Sequence, residues 1–123
     1  GATDVPMGAS HGIGYILGGA YGVPHGITSC VMLPAVLEWN VPVNEARQRT
    51  VARLLGAEGE PAGPALRRFL AGLRLPSRLR DIGIEQAQLP AIAERYDGTG
   101  PIRTNPRPVS GPADVLEILQ LAW

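Results

Sequence analysis

The chain contains no lysine: all eleven of its basic residues are arginine, set against eleven acidic residues for a formal charge of zero. A zero balance argues against the basic surface that holds nucleic-acid phosphates, so no nucleic-acid partner is expected. The missing lysine reflects a GC-rich coding sequence more simply than a chemical role. Cys30 is the single cysteine, so no intrachain disulfide can form, and a reducing cytoplasm is the simplest compartment. It follows Thr28 and Ser29 in apolar sequence, where packing is favoured over nucleophilic catalysis. No uninterrupted apolar run reaches the ~18 residues of a membrane span, and no signal peptide is recognisable, so no membrane partner is expected. Sustained two-residue alternation is also lacking, which removes confident strands.

What remains is an all-α pattern in one domain, since 123 residues suffice to bury about two-thirds of the chain's surface. Ile27 to Trp39 is nearly continuous apolar sequence, a buried helix that Pro34 should bend. Asn44 is a candidate N-cap for a following helix whose inward stripe reads Ala46, Thr50, Val51, Leu54 and Leu55, ended by Gly56. Leu66, Phe69, Leu70 and Leu73 make the next amphipathic face. Pro76–Ser77 starts a short helix that Gly83 terminates. Leu89, Ile92, Ala93 and Tyr96 form another stripe. In the last helix Ser110 or Gly111 is the cap and Pro112 stands in the first turn, with Val115, Ile118, Leu119 and Ala122 facing inward. Between Asp97 and Gly111 lies an irregular proline-bearing loop carrying Arg103 and Arg107, whose planar forks suit carboxylates or pin the loop to helix C-termini.

Histidine is nearly as scarce as cysteine. His11 and His25 are the only two, and they stand in a glycine-rich stretch with no charge from Val5 to Leu37. Neutral imidazole ligates divalent metals and carries protons near pH 7, although a buried histidine can equally be a hydrogen-bonded core residue. If His11 lies on a helix ending near Gly18, that helix descends roughly 10 Å, and the five residues Ala20–Pro24 can climb back roughly 17 Å. Tyr15 is one turn after His11 on the same face. His11, Tyr15 and His25 can therefore converge, with His25 at the N-terminus of the next helix. Gly12, Gly14 and Gly18 only mimic a dinucleotide fingerprint: their spacing is wrong and no strand precedes them. Five arginines, Arg67, Arg68, Arg74, Arg78 and Arg80, make a mildly basic middle. The reading preferred for it is a solvated helical face, the lesser one an anionic-substrate site.

The run Gly8 to Asn40, with Gly-Ala-Ser-His-Gly-Ile-Gly-Tyr, Val-Pro-His-Gly and Val-Met-Leu-Pro-Ala-Val-Leu-Glu-Trp-Asn, resembles the iron-containing alcohol dehydrogenase family. Asn105-Pro106-Arg107-Pro108 resembles the C-terminal signature of its maleylacetate reductase branch. The resemblance implies an oxidoreductase using NAD(H) or NADP(H), held mainly by an α/β domain upstream of Gly1, with this chain the C-terminal part of the all-helical domain. The chain's opening at Gly1 rather than methionine agrees with an excised piece. The resemblance further implies iron or zinc held by one aspartate and three histidines. His11 and His25 match the last two, and the other two ligands would lie upstream. Tyr15 stands where the family commonly has another histidine; a phenol, with a pKa of about 10, donates a hydrogen bond but accepts a proton poorly at neutral pH. The catalytic set implied is His11, Tyr15 and His25, with Asn105 and Arg107 binding a small carboxylate or alcohol substrate. The alternative is a stand-alone helical binding or assembly module. A partial domain is expected to form a homo-oligomer or pair with its missing half, through the exposed run Ile27 to Leu37.

Overall fold

The computed structural model describes Leu17, Gly19, residues 22–96, Asn105 and residues 107–123; for His25 it describes the backbone alone. The elements are α1 (His25–Leu54), α2 (Ala62–Gly72), two single 3-10 turns (Leu79–Ile82 and Gln86–Gln88), α3 (Leu89–Ala93) and α4 (Pro112–Ala122). No strand occurs among the described residues, as the missing alternation led us to expect.

Helix α1 starts where Pro24, in extended geometry, offers its carbonyl to the amides of Ile27 and Thr28 at 3.0 Å each. Pro34 lies within the helix, and the break falls at Asn44 (φ −142°, ψ 39°), two residues after Pro42. Proline supplies no amide and crowds the carbonyl four residues back, so the ladder is weakened just before the break. Gln48 bridges it: its buried Nε2 donates to the Leu37 carbonyl and, at 2.8 Å, to Asn44 Oδ1. In a straight helix, residues eleven apart stand roughly 16 Å from one another. Contact between Gln48 and Leu37 therefore requires the second half of α1 to fold back on the first. Asn44 thus marks the junction that the sequence suggests, its non-helical backbone separating two helical halves.

Gly26–Leu54 contains an 18-residue window of mean hydropathy 1.2, long and apolar enough by length and composition to cross a membrane, which no uninterrupted apolar run suggested. It reaches that length because Pro34 and Pro42 do not end it. Half of that window is buried inside the fold, and the apolar residues of α1 form the centre of the core.

Val31, Met32, Ala35, Val36 and Trp39 of α1 pack with Leu79, Leu89, Ile92, Val115, Ile118 and Leu119, and Leu17 joins them fully buried. Fully burying one such side chain contributes about 1.5–3 kcal/mol. The inward stripes read for α3 and α4 are those observed, and Gly83 ends the first 3-10 turn in left-handed geometry, φ 86°. Ser110 and Gly111 both act at the start of α4. Gly111 is the capping residue, and Ser110 donates through its amide and hydroxyl to Asp114 at 2.9 and 3.0 Å.

Three expectations are corrected. The run Ile27 to Leu37 is covered largely by the chain's own helices, so it offers no continuous open face. In the second half of α1 the buried positions are Gln48 and Ala52, while Leu54 is 81% exposed, because fold-back at Asn44 rotates the stripe. Phe69 of α2 and Leu73 just past its end point outward, 49% and 57% exposed. Its buried face is Ala62, Gly63, Ala65 and Leu70, since small residues allow α2 to approach α1 closely. A Cβ on Gly63 would stand 2.6 Å from Glu38 Cγ and 2.8 Å from the Pro34 carbonyl oxygen.

Candidate functional site

Two regions carry the chemistry. The first lies at the start of α1. Gly22 turns the chain with φ 68°, Val23 and Pro24 extend it, and the backbone of His25 opens the helix. The first amides of a helix have no partner within it and give that end partial positive charge. Beside this end is an open cleft of about 620 Å³. Its walls are Val23 and Pro24 just before α1, Ile27 in its first turn, Arg74, Leu75 and Pro76 from the exit of α2, and Asp81 and Ile82 from the first 3-10 turn. Asp81 Oδ2 accepts from the amides of Ser77 and Arg78, both at 3.1 Å, which fixes the cleft's far wall.

His11 and Tyr15 lie outside the described residues, as do Arg103 and the decoy glycines, and the His25 side chain is likewise outside them. Their convergence is therefore a matter for proposal. Among the described residues no three His, Cys, Asp or Glu side chains gather as a metal site would need. Two imidazoles of the right chemical type are fewer than the three protein ligands of a usual catalytic zinc centre, so this chain's residues alone do not fit a closed metal site. Nor do they fit a whole dinucleotide site, since the described residues form no βαβ unit. Cys30 is half-buried rather than fully packed away.

The second region joins the middle of α1 to the segment before α4. Arg107 Nη1 donates to the Trp39 carbonyl at 2.9 Å, and its guanidinium lies over the Trp39 ring, 3.6 Å from the ring centre. Asn40 is fully buried and shares amide hydrogen bonds with Asn105, the shorter running from Asn105 Nδ2 to Asn40 Oδ1 at 2.7 Å. Asn40 Oδ1 also accepts from the Arg107 amide at 3.3 Å, and Asn105 Nδ2 donates to the Arg107 carbonyl at 2.8 Å. The two residues read as substrate-binding thus hold each other and α1. Trp39 and Asn40, their partners, carried no role in the sequence reading. An asparagine one turn after Val36, inside an apolar stripe, was the signal that could have marked a buried polar contact.

The basic middle is mostly committed internally. Arg67 pairs with Glu38 of α1 and donates to the Leu121 carbonyl at 2.6 Å, tying α2 to both α1 and α4. Arg68 pairs with Glu60 at 2.7 Å, and Arg80 stacks on Trp123 at 5.0 Å. Burial, then the neighbouring charges of Arg67 and Arg80, push the Arg78 guanidinium below its usual range, against the opposing pull of Glu38 and Asp81.

Comparison with known proteins agrees with this fold. Residues 3–123 match the pattern described as Fe-containing alcohol dehydrogenase family, C-terminal. Lactaldehyde reductase of Escherichia coli is 28% identical over 132 residues, covering all of this chain and 34% of that protein. Maleylacetate reductase 1 of Cupriavidus pinatubonensis is 29% identical over 118 residues, covering 92% of the chain and 30% of that protein. The solved structure of an iron-containing alcohol dehydrogenase from Corynebacterium glutamicum superposes with a TM-score of 0.72 at 29% identity, covering 93% of this chain and 31% of that one. The chain spans about a third of the length of these relatives.

Proposed function

Because the chain belongs to the iron-containing alcohol dehydrogenase family, as its C-terminal helical part, we propose that it supplies the proton-handling wall of an NAD(P)-dependent oxidoreductase acting on a small carboxylate or alcohol. The observation that carries this reading is the match over residues 3–123 together with the placing of His25 at the first position of α1, beside an open cleft. The nicotinamide, held elsewhere in the protein, would supply the hydride. His11 and His25 would be the chain's contribution to an iron or zinc site whose other ligands lie outside it; where no metal is bound, the same imidazoles instead polarise the substrate oxygen and hold its proton. Tyr15 donates a hydrogen bond to the same oxygen. The partial positive charge at the start of α1 favours the negative charge that develops there. Asn105 and Arg107 serve through their hold on Trp39 and Asn40; a direct substrate contact would raise KM in Arg107→Lys without lowering Tm.

In the full-length protein, NAD(P)H oxidation with an oxo-carboxylate and with a plain aldehyde separates a reductase of the maleylacetate kind from a general alcohol dehydrogenase. His25→Ala should lower kcat by about 10²–10⁴-fold, the scale of a lost positioned acid-base group. Unchanged turnover in that variant would refute the assignment. A cytoplasmic setting agrees with a single, half-buried thiol.

A second reading, a helical binding or assembly module, draws on the outward apolar side chains Val41, Val43, Leu54, Phe69, Leu73 and Leu75. Sedimentation of the chain distinguishes it: concentration-dependent association, either with itself or with the rest of the protein, is the expected result, and a strictly monomeric chain that binds neither refutes it.

A further inference from the structure

Of the five arginines in the basic middle, three have side-chain partners: Arg67 with Glu38 and Leu121, Arg68 with Glu60, and Arg80 with Trp123. Arg78 is half-buried and does not line the cleft at the start of α1. Arg74 has no hydrogen-bond, ion-pair or ring partner through its side chain among the described residues, and it lines the cleft at the start of α1. Its backbone is unusual as well. Every other described residue with positive φ is glycine (Gly22, Gly56, Gly59 and Gly83), whereas Arg74 keeps a full side chain at φ 61°. Glycine would close the end of α2 with less strain, so this position retains a guanidinium at some cost in stability.

We propose that this cleft binds a short-chain aliphatic carboxylate, with Arg74 as its counter-ion. The walls Val23, Ile27, Leu75 and Ile82 are apolar and receive the hydrocarbon part, while the planar guanidinium matches a carboxylate in two-point fashion. Asp81 on the same wall repels multiply charged anions, which favours a single carboxylate over phosphate. A volume of about 620 Å³ falls in the range of small-molecule sites. That the bound carboxylate is the substrate rests on the oxidoreductase reading; the binding itself does not.

The test is methyl NMR of the chain titrated with sodium butanoate, butan-1-ol and inorganic phosphate. Butanoate should shift the methyl signals of Val23, Ile27, Leu75 and Ile82 saturably, and the other two probes should not. Arg74→Gln should weaken butanoate by about tenfold or more, the scale of one lost charged hydrogen bond, and Arg74→Lys should recover part of that loss. The proposal is overturned if butanol or phosphate binds as well as butanoate, if Arg74→Gln binds unchanged, or if no saturable shift occurs. Turnover of the full-length protein and of its His25→Ala variant judges the oxidoreductase reading separately, so either can fail without the other.

Discussion

The Arg107 guanidinium holds Trp39 twice, through the backbone carbonyl at 2.9 Å and across the face of the ring at 3.6 Å from its centre. Lysine would keep the charge and lose the flat fork that does both. Arg107→Lys should therefore destabilise the fold by about 1–2 kcal/mol, read as a lower urea midpoint by circular dichroism. The indole fluorescence should shift to the red as Trp39 meets water. Unaltered stability and emission would show that the stacked geometry does not persist in solution.

Asn40 and Asn105 satisfy one another inside the fold, so removing one strands the other. Asn105→Ala should cost about 1–3 kcal/mol. Combining Asn40→Leu with Asn105→Leu should cost less than the two single changes added, because no orphaned amide is left. A double-mutant cycle by denaturant titration measures this, and strict additivity would count against a shared buried bond.

Gly63 sets how closely α2 lies on α1. Its substitution by alanine puts a methyl group against Glu38 Cγ and the Pro34 carbonyl; the Glu38 side chain can turn away only at the expense of its pair with Arg67, and the carbonyl is backbone, so α2 must move off α1. A loss of about 1–3 kcal/mol is expected, together with weakening of the Arg67–Glu38 pair. Thermal melts of Gly63→Ala, compared with Gly72→Ala where a Cβ meets nothing, isolate the packing effect.

Arg74→Gly should move stability the other way. Relief of the left-handed backbone should stabilise the chain by roughly 0.5–1 kcal/mol, while butanoate binding disappears. A variant that is more stable and does not bind would separate the residue's ligand role from its structural one; a drop in Tm would mean that the side chain supports the fold.

Zinc should bind this chain weakly, since it offers two imidazoles where three protein ligands are usual. Titration should show loose binding that either His11→Ala or His25→Ala weakens further, with metal-dependent association where sites from two copies meet. Tight one-to-one binding surviving both single substitutions would place the metal on other residues.

The all-helical class, the end of α1 at Gly56, the turn at Gly83 and the inward faces of α3 and α4 were legible from the sequence. Each rests on local chemistry, either the 3.6-residue spacing of apolar side chains or a glycine that alone adopts positive φ without strain. The order of the histidines and the Asn-Pro-Arg-Pro signature likewise pointed to the family before any fold was seen. Tertiary structure decided the rest, because it depends on contacts between residues far apart in the chain. Fold-back at Asn44 chose Gln48 and Ala52 over Leu54 for the interior, and close approach at Gly63 turned Phe69 outward. Packing also sorted the arginines, sending Arg67 to Glu38 and Arg107 to Trp39 while leaving Arg74 at the cleft. No periodicity distinguishes one guanidinium from another; only the partner that folding brings within reach does so.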